Sequence, residues 1–216
     1  MKIGLLDLLA CPICKYWPIK LLIFNWETTD EEFKEALRGL KDIMILKKLT
    51  RIKRGKDKFE DCINIEENSI QDDLVRYKLS FRNYIEKVNE FLKNLEYITI
   101  FTEGSSKKVH NKAEEIYKEF QSLKDVNDEN TIKEFIDKHL IKIYFLNWYF
   151  QRAEIEDGIM ICDNCLRWYP ISESIPQMLP DNLRSEKEEI RFLEKWKDFV
   201  PEKILKEGKP FNLSSE

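Results

Sequence analysis

The chain has 216 residues, 43% apolar and 35% charged, with 13 Phe, 8 Tyr, 5 Trp and a formal net charge of -4. That composition excludes a disordered chain and suits two small cores, since domains run to about 100–150 residues. The acidic balance argues against sequence-independent wrapping of nucleic acid, which needs cations to displace phosphate counterions, and no stretch approaches the roughly 20 apolar residues of a membrane span. The chain is expected in the cytoplasm, with no membrane partner.

In chain order, the first motif is LACPICKYW at residues 9–17, where Cys11 and Cys14 stand two residues apart around Pro12. Ile19 to Trp26 (IKLLIFNW) is rich enough in branched and aromatic residues to predict a strand. Thr29-x-x-Glu32 is a capping box, followed by Phe33, Leu37, Leu40 and Met44 at helical spacing. The run KKLTRIKRGKDK then gathers Lys47, Lys48, Arg51, Lys53, Arg54, Lys56 and Lys58. It reads either as an exposed loop or as a possible contact for an RNA backbone.

Ser69-x-x-Asp72 is expected to open a long amphipathic helix through Leu74, Tyr77, Phe81, Tyr84, Val88, Phe91 and Leu95. A third stripe runs Val109, Ala113, Ile116, Phe120, Leu123, and a fourth starts near Thr131 with Phe135, Ile136 and Leu140. Four such stripes make a helical bundle over residues 28–152, with the aromatics as its core. Asp157-Gly158 reads as a hairpin turn into a strand, Ile159 to Ile161, that delivers a second pair, Cys162 and Cys165, in MICDNCLRWYP. Arg167 to Ile171 should leave it extended. Ser185-x-x-Glu188 caps a last helix through Ile190, Leu193 and Trp196, before Pro201 and a polar tail.

Two Cys-x-x-Cys pairs about 150 residues apart are the ligand pattern of a structural zinc site, in which two knuckles present four thiolates to one tetrahedral ion. Four thiolates leave no open position for an activated water, so such a metal holds structure. Redox dithiols and structural disulfides are the rival readings. Cys62, His110 and His139 stand alone. A site with halves at residues 11–14 and 162–165 brings the chain ends together, so the expected class is α+β: a small antiparallel β zinc-knuckle domain, residues 1–27 plus 153–184, an inserted α-helical bundle, 28–152, and a C-terminal helix and tail, 185–216.

The six glycines are scattered, with no Gly-rich phosphate loop after a strand, and two isolated histidines offer a nucleophile no obvious base. Intrinsic catalysis is not expected.

LLDLLACPICKYWPIKL near the start and DGIMICDNCLRWYPISESIPQMLPDNLR later resemble the zinc-binding activator subunit family of tRNA, rRNA and release-factor methyltransferases (Trm-one-twelve-like). The resemblance implies a non-catalytic partner that forms heterodimers with class I methyltransferases, meets S-adenosylmethionine only through them, and touches RNA indirectly or weakly. It implies one zinc ion on Cys11, Cys14, Cys162 and Cys165. It also implies a strand-pairing partner surface around Trp168, Tyr169, Pro170, Ile171, Ile175, Pro176, Met178 and Leu179; the alternative for that run is the core of the zinc module. The long insertion and the tail after Leu183 depart from the family pattern. The competing function is a zinc-ribbon module that binds tRNA or rRNA itself, through the basic run at 47–58.

Overall fold

A computed structural model describes residues 1–54 and 58–214, the side chains of Arg54 and Lys58 excepted. The fold is mixed α+β, and the chain divides into two compact units: Met1–Thr28, Glu96–Thr102 and Glu154–Glu216 form the first, Thr29–Leu95 and Glu103–Ala153 the second.

The first unit is built on a five-stranded sheet. In chain order its strands are β1 (Lys20–Trp26), β6 (Ile98–Ile100), β7 (Ile155–Ile161), β8 (Trp168–Ser172) and β9 (Ile175–Pro176), laid side by side as β6-β1-β7-β8-β9. β6 runs parallel to β1 and the other pairings are antiparallel. β6 interrupts the stretch expected to be helical throughout. Its Ile98 and Ile100 are buried and Thr99 between them is exposed, the period-two pattern of a strand. It falls in the gap between the stripe ending at Leu95 and the one starting at Val109.

The register puts Leu22 opposite Ile159, and Ile161 opposite Trp168. With Phe24 these side chains make one apolar face, buried with Leu193, Val200 and Ile204. The last two come from or adjoin α8 (Glu202–Glu207), and Leu193 from α7 (Glu186–Trp196). The Phe24 ring stacks on Trp196 at 4.9 Å and lies 6.3 Å from Phe192. The C-terminal segment is thus the second layer of this unit's core.

Asp157 and Gly158 do not turn the chain; both lie inside β7. The register shifts at Asn25, opposite Asp157, and a Cβ on Gly158 would stand 2.7 Å from the Leu22 carbonyl oxygen. The glycine serves close approach at a bulged pairing.

The second unit is mostly helical. α1 (Asp30–Gly39) begins with the expected capping box, Thr29 and Glu32 each bonding the other's backbone N–H. Its last residue, Gly39, leaves room for Leu46 of α2 (Ile43–Thr50), whose Cγ would stand 2.5 Å from a Cβ there. Among the described residues of the basic run are the end of α2 and an antiparallel pair of short strands, β2 (Ile52–Arg54) and β3 (Lys58–Glu60); residues 55–57 lie outside the described residues. A hairpin, β4 (Asn64–Glu66) with β5 (Ser69–Gln71), occupies what was expected as the start of a helix. Asp72 explains the misreading: its carboxylate accepts from the N–H groups of Leu74 and Val75, each at 3.0 Å, and caps a turn. The helix, α3 (Phe81–Leu92), starts only at Ser80.

α4 (Ser105–Gln121) carries the third stripe. The fourth is two helices, α5 (Glu129–Lys138), capped by Asp128, and α6 (Leu140–Gln151). Every residue of α6 from Ile143 to Phe150 is buried. It packs against α1, α2, α4 and α5, as a helix apolar on all sides should. Its one buried amide, Asn147, donates to the Asp72 carboxylate at 2.9 Å, which also accepts from the Tyr84 hydroxyl at 2.8 Å.

Candidate metal centre

Cys11 and Cys14 follow a short 3₁₀ segment, Ile3–Leu8, and Cys162 and Cys165 follow β7. The two pairs sit in the same turn. The carbonyl of the first cysteine accepts from the residue after the second, Lys15 or Leu166, at 2.9 Å in both cases. The N–H of the first cysteine donates to the next carbonyl on, Tyr16 at 3.0 Å or Arg167 at 2.8 Å. Lys15 and Leu166 both hold φ at 59°, the left-handed region that costs a residue with a Cβ roughly 1–2 kcal/mol. The same turn at two distant positions suits knuckles that aim their sulfurs at one point.

They do. The four Sγ atoms lie within 4.8 Å of one another, with Cys14 to Cys162 at 3.5 Å and Cys11 to Cys165 at 3.6 Å. Disulfide sulfurs stand about 2.05 Å apart, and all five cysteines are free thiols. A tetrahedron with metal–sulfur bonds of about 2.3 Å has sulfur–sulfur edges of about 3.8 Å. The cluster therefore suits four thiolates around one soft metal ion with no vacant position.

At the first cysteine pair the surroundings favour anionic sulfur. The Asn164 side chain, then, against burial, the Tyr16 N–H and the neighbouring thiols, bring the Cys14 thiol down to about 6. At Cys11 burial opposes ionisation, but the Cys14 N–H, the Tyr169 hydroxyl and the Ile13 N–H outweigh it and the thiol titrates below its ordinary value. Burial pushes Cys162 the other way, up, despite N–H donation from Cys165 and Asn164. Tyr169 Oη lies 3.2 Å from Cys11 Sγ, and Arg167 is gripped by Asp181 through Nε at 3.0 Å and Nη2 at 2.7 Å.

The run from Trp168 to Leu179 divides in two. Trp168, Tyr169 and Ile171 have no exposed surface and Pro170 is buried. Trp168 is covered by the chain's own end: Phe192 stacks on it at 6.0 Å, its Nε1 donates to the Phe211 carbonyl, and Lys209 bridges to the outer side of Arg167. Ile175 and Leu179 are 62% and 43% exposed, with Pro176 and Met178 half-buried. Ile175, Leu179 and Leu183 line an open groove of about 520 Å³ with Phe192 and Arg191 of α7. A further set of exposed apolar side chains, Leu8, Ile13, Tyr16 and Trp17, surrounds the first cysteine pair; no periodicity in that irregular segment marks them.

Of the basic residues, Lys47 lies 3.7 Å from the Asp61 carboxylate and 5.4 Å from the Tyr144 ring centroid, while Lys48, Arg51 and Lys53 are exposed. Lys56 lies outside the described residues, as do the side chains of Arg54 and Lys58. Cys62 is buried in the second unit, apart from the cluster, and burial pushes its thiol up to about 12. The tyrosine and arginine beside the sulfurs are the site residues that motif spacing misses, because their role depends on β8 bringing them back to the cysteines.

No curated protein and no solved structure matches the chain. A family model described as Trm112p-like protein matches residues 2–174, which include both cysteine pairs and end between β8 and β9. Matched over most of its length, with its four paired cysteines gathered at one point, the chain belongs to the Trm112p-like protein family.

Proposed function

We propose that this protein is a non-catalytic activating and stabilising subunit of S-adenosylmethionine-dependent methyltransferases that act on tRNA, rRNA or a translation release factor. The observation that carries it is the family match over residues 2–174, since the family is in general one of methyltransferase activators. In this reading Cys11, Cys14, Cys162 and Cys165 are zinc knuckles that clamp the two ends of the family module, the helical second unit is an insertion between them, and one structural zinc ion replaces part of a core too small to hold alone. The cofactor S-adenosylmethionine stays with the partner, and the heterodimer works in the cytoplasm.

Activation needs no chemistry from this chain. A subunit that binds only the folded methyltransferase shifts its folding equilibrium by about 2.7 kcal/mol when free activator is 100-fold above the dissociation constant. The groove beside Ile175, Pro176, Met178 and Leu179 is the partner contact we assign, with Trp168 to Ile171 as its buried support rather than its surface.

Co-expression with class I methyltransferases from the same cell tests the reading. A stable one-to-one complex, with soluble and active enzyme only in the presence of this chain, is the expected result, and Ile175→Asp with Leu179→Asp should break it. Failure to retrieve or activate any methyltransferase, together with salt-dependent tRNA binding by the isolated chain, would overturn it in favour of a direct RNA-binding module.

A further inference from the structure

We infer that the segment beyond the family-matched residues completes the outer sphere of the thiolate cluster: Arg184 braces Tyr169 as a hydrogen-bond donor to Cys11, and Asp181 fixes the guanidinium of Arg167, two residues after Cys165. The inference rests on the metal reading of the four cysteines, and its test separates the two.

Tyr169 has no exposed surface, and the hydrogen-bonding neighbour of its hydroxyl is Cys11 Sγ at 3.2 Å. A thiol is a weak donor and a weak acceptor. A metal-bound thiolate is an acceptor only, so with the ion in place the phenol is the donor and its bond gains from the sulfur's charge. A buried tyrosine hydroxyl aimed at a sulfur is therefore best satisfied in the metal-bound state.

Arg167 supplies charge. A divalent ion with four thiolates carries a net -2, which a half-buried site must offset. Asp181 takes Nε and Nη2 together, so the planar fork has one orientation. Arg184 braces Tyr169. Its side chain is 1% exposed, Nε bonds Glu189, and the guanidinium carbon lies 5.0 Å from the Trp168 ring and 5.3 Å from the Tyr169 ring. The Nη atoms, which have no hydrogen-bond partner, are spent on these aromatic faces. Asp181 and Arg184 both lie outside residues 2–174, so in this chain the C-terminal segment grips Arg167, just before β8, and Tyr169, within it.

The test uses the full chain loaded with zinc, and with cobalt as a spectroscopic stand-in. Asp181→Asn and Tyr169→Phe keep size and fold, checked by circular dichroism. Each is expected to release zinc to a competing chelator about tenfold faster, as outer-sphere changes typically do. Tyr169→Phe should also shift the sulfur-to-cobalt charge-transfer band, which a loss of packing alone would not move, and Asp181→Glu should restore slow release. Release from both variants at the wild-type rate, with an unmoved band, would overturn the inference while leaving the metal site intact. A wild-type chain that retains no metal would overturn the reading of the cysteines and this inference with it.

Discussion

Trp168 Nε1 donates to the Phe211 carbonyl at 2.9 Å, tying the indole of β8 to the last stretch of described chain. Three backbone bonds reinforce the tie: Lys209 N–H to the Leu166 carbonyl at 3.0 Å, Trp168 N–H to the Lys209 carbonyl at 3.3 Å, and Leu213 N–H to the Leu205 carbonyl at 2.8 Å. With each bond worth about 1 kcal/mol net, deletion of residues 209–216 is expected to cost the first unit about 2–4 kcal/mol. Urea unfolding followed by tryptophan fluorescence checks the loss, and amide exchange at Trp168 should accelerate. Unchanged exchange would mean that the tail does not hold the strand edge.

Removal of a metal bound at the thiolate cluster should act on one unit. The cluster joins the 3₁₀ segment's end to the end of β7, both in the first unit, whereas the second has its own core around α6 and the Asp72 network. A strong chelator is therefore expected to lower the melting temperature of one calorimetric transition and leave the other in place. Cys162→Ser, at a fully buried sulfur, should abolish metal retention and reproduce the chelated state. A single transition that moves as a whole would contradict the independence of the two units.

Gly158→Ala is expected to destabilise the first unit by about 1–3 kcal/mol, because the new methyl would meet the Leu22 carbonyl oxygen 2.7 Å away and force β1 and β7 apart. Equilibrium unfolding measures it. A neutral outcome would show that the bulge at Asn25 absorbs the extra atom.

That glycine also shows where sequence reasoning reaches its limit. Asp-Gly is a strong hairpin signal in isolation, but here the pairing of β7 with β1 imposes a straight path and uses the glycine for clearance. Ser69-x-x-Asp72 failed for a similar reason: the capping residues are real, yet Asp72 caps a turn and is held there by Tyr84 and Asn147 from elsewhere in the chain. The cysteine pairs were legible because their chemistry is written in the spacing itself. So were Thr29 with Glu32 and the stripe of α4, whose partners lie within a few residues. Ile98 to Ile100, the division of the fourth stripe at His139, and the burial of Trp168 under Phe192 and Phe211 depend on long-range contacts that no local window carries. Tyr169 belongs with them: read as an apolar surface residue, it points its hydroxyl at Cys11.

His110 is expected to make the second unit acid-sensitive. It is 3% exposed, its Nδ1 lies 2.7 Å from the Tyr149 hydroxyl, and burial, aided by Lys107, brings its pKa from 6.5 down to about 4. As pH falls below about 6.5 the unfolded chain takes up a proton on this ring, while the folded chain does not until about pH 4, so the unfolded state gains. The stability is complete above the unfolded value, declines between pH 6.5 and 4, and is flat below as far as this group is concerned. At about 1.4 kcal/mol for each pH step, roughly 2 kcal/mol should be lost by pH 5. Glu114, 3.5 Å from Nε2, tempers the loss when the ring protonates. Urea midpoints of the helical transition for wild type and His110→Gln, compared from pH 7.5 to pH 4.5, isolate the effect. The variant should be weaker at pH 7 yet fall less steeply on acidification, and parallel curves would show that the buried imidazole does not set the acid limb.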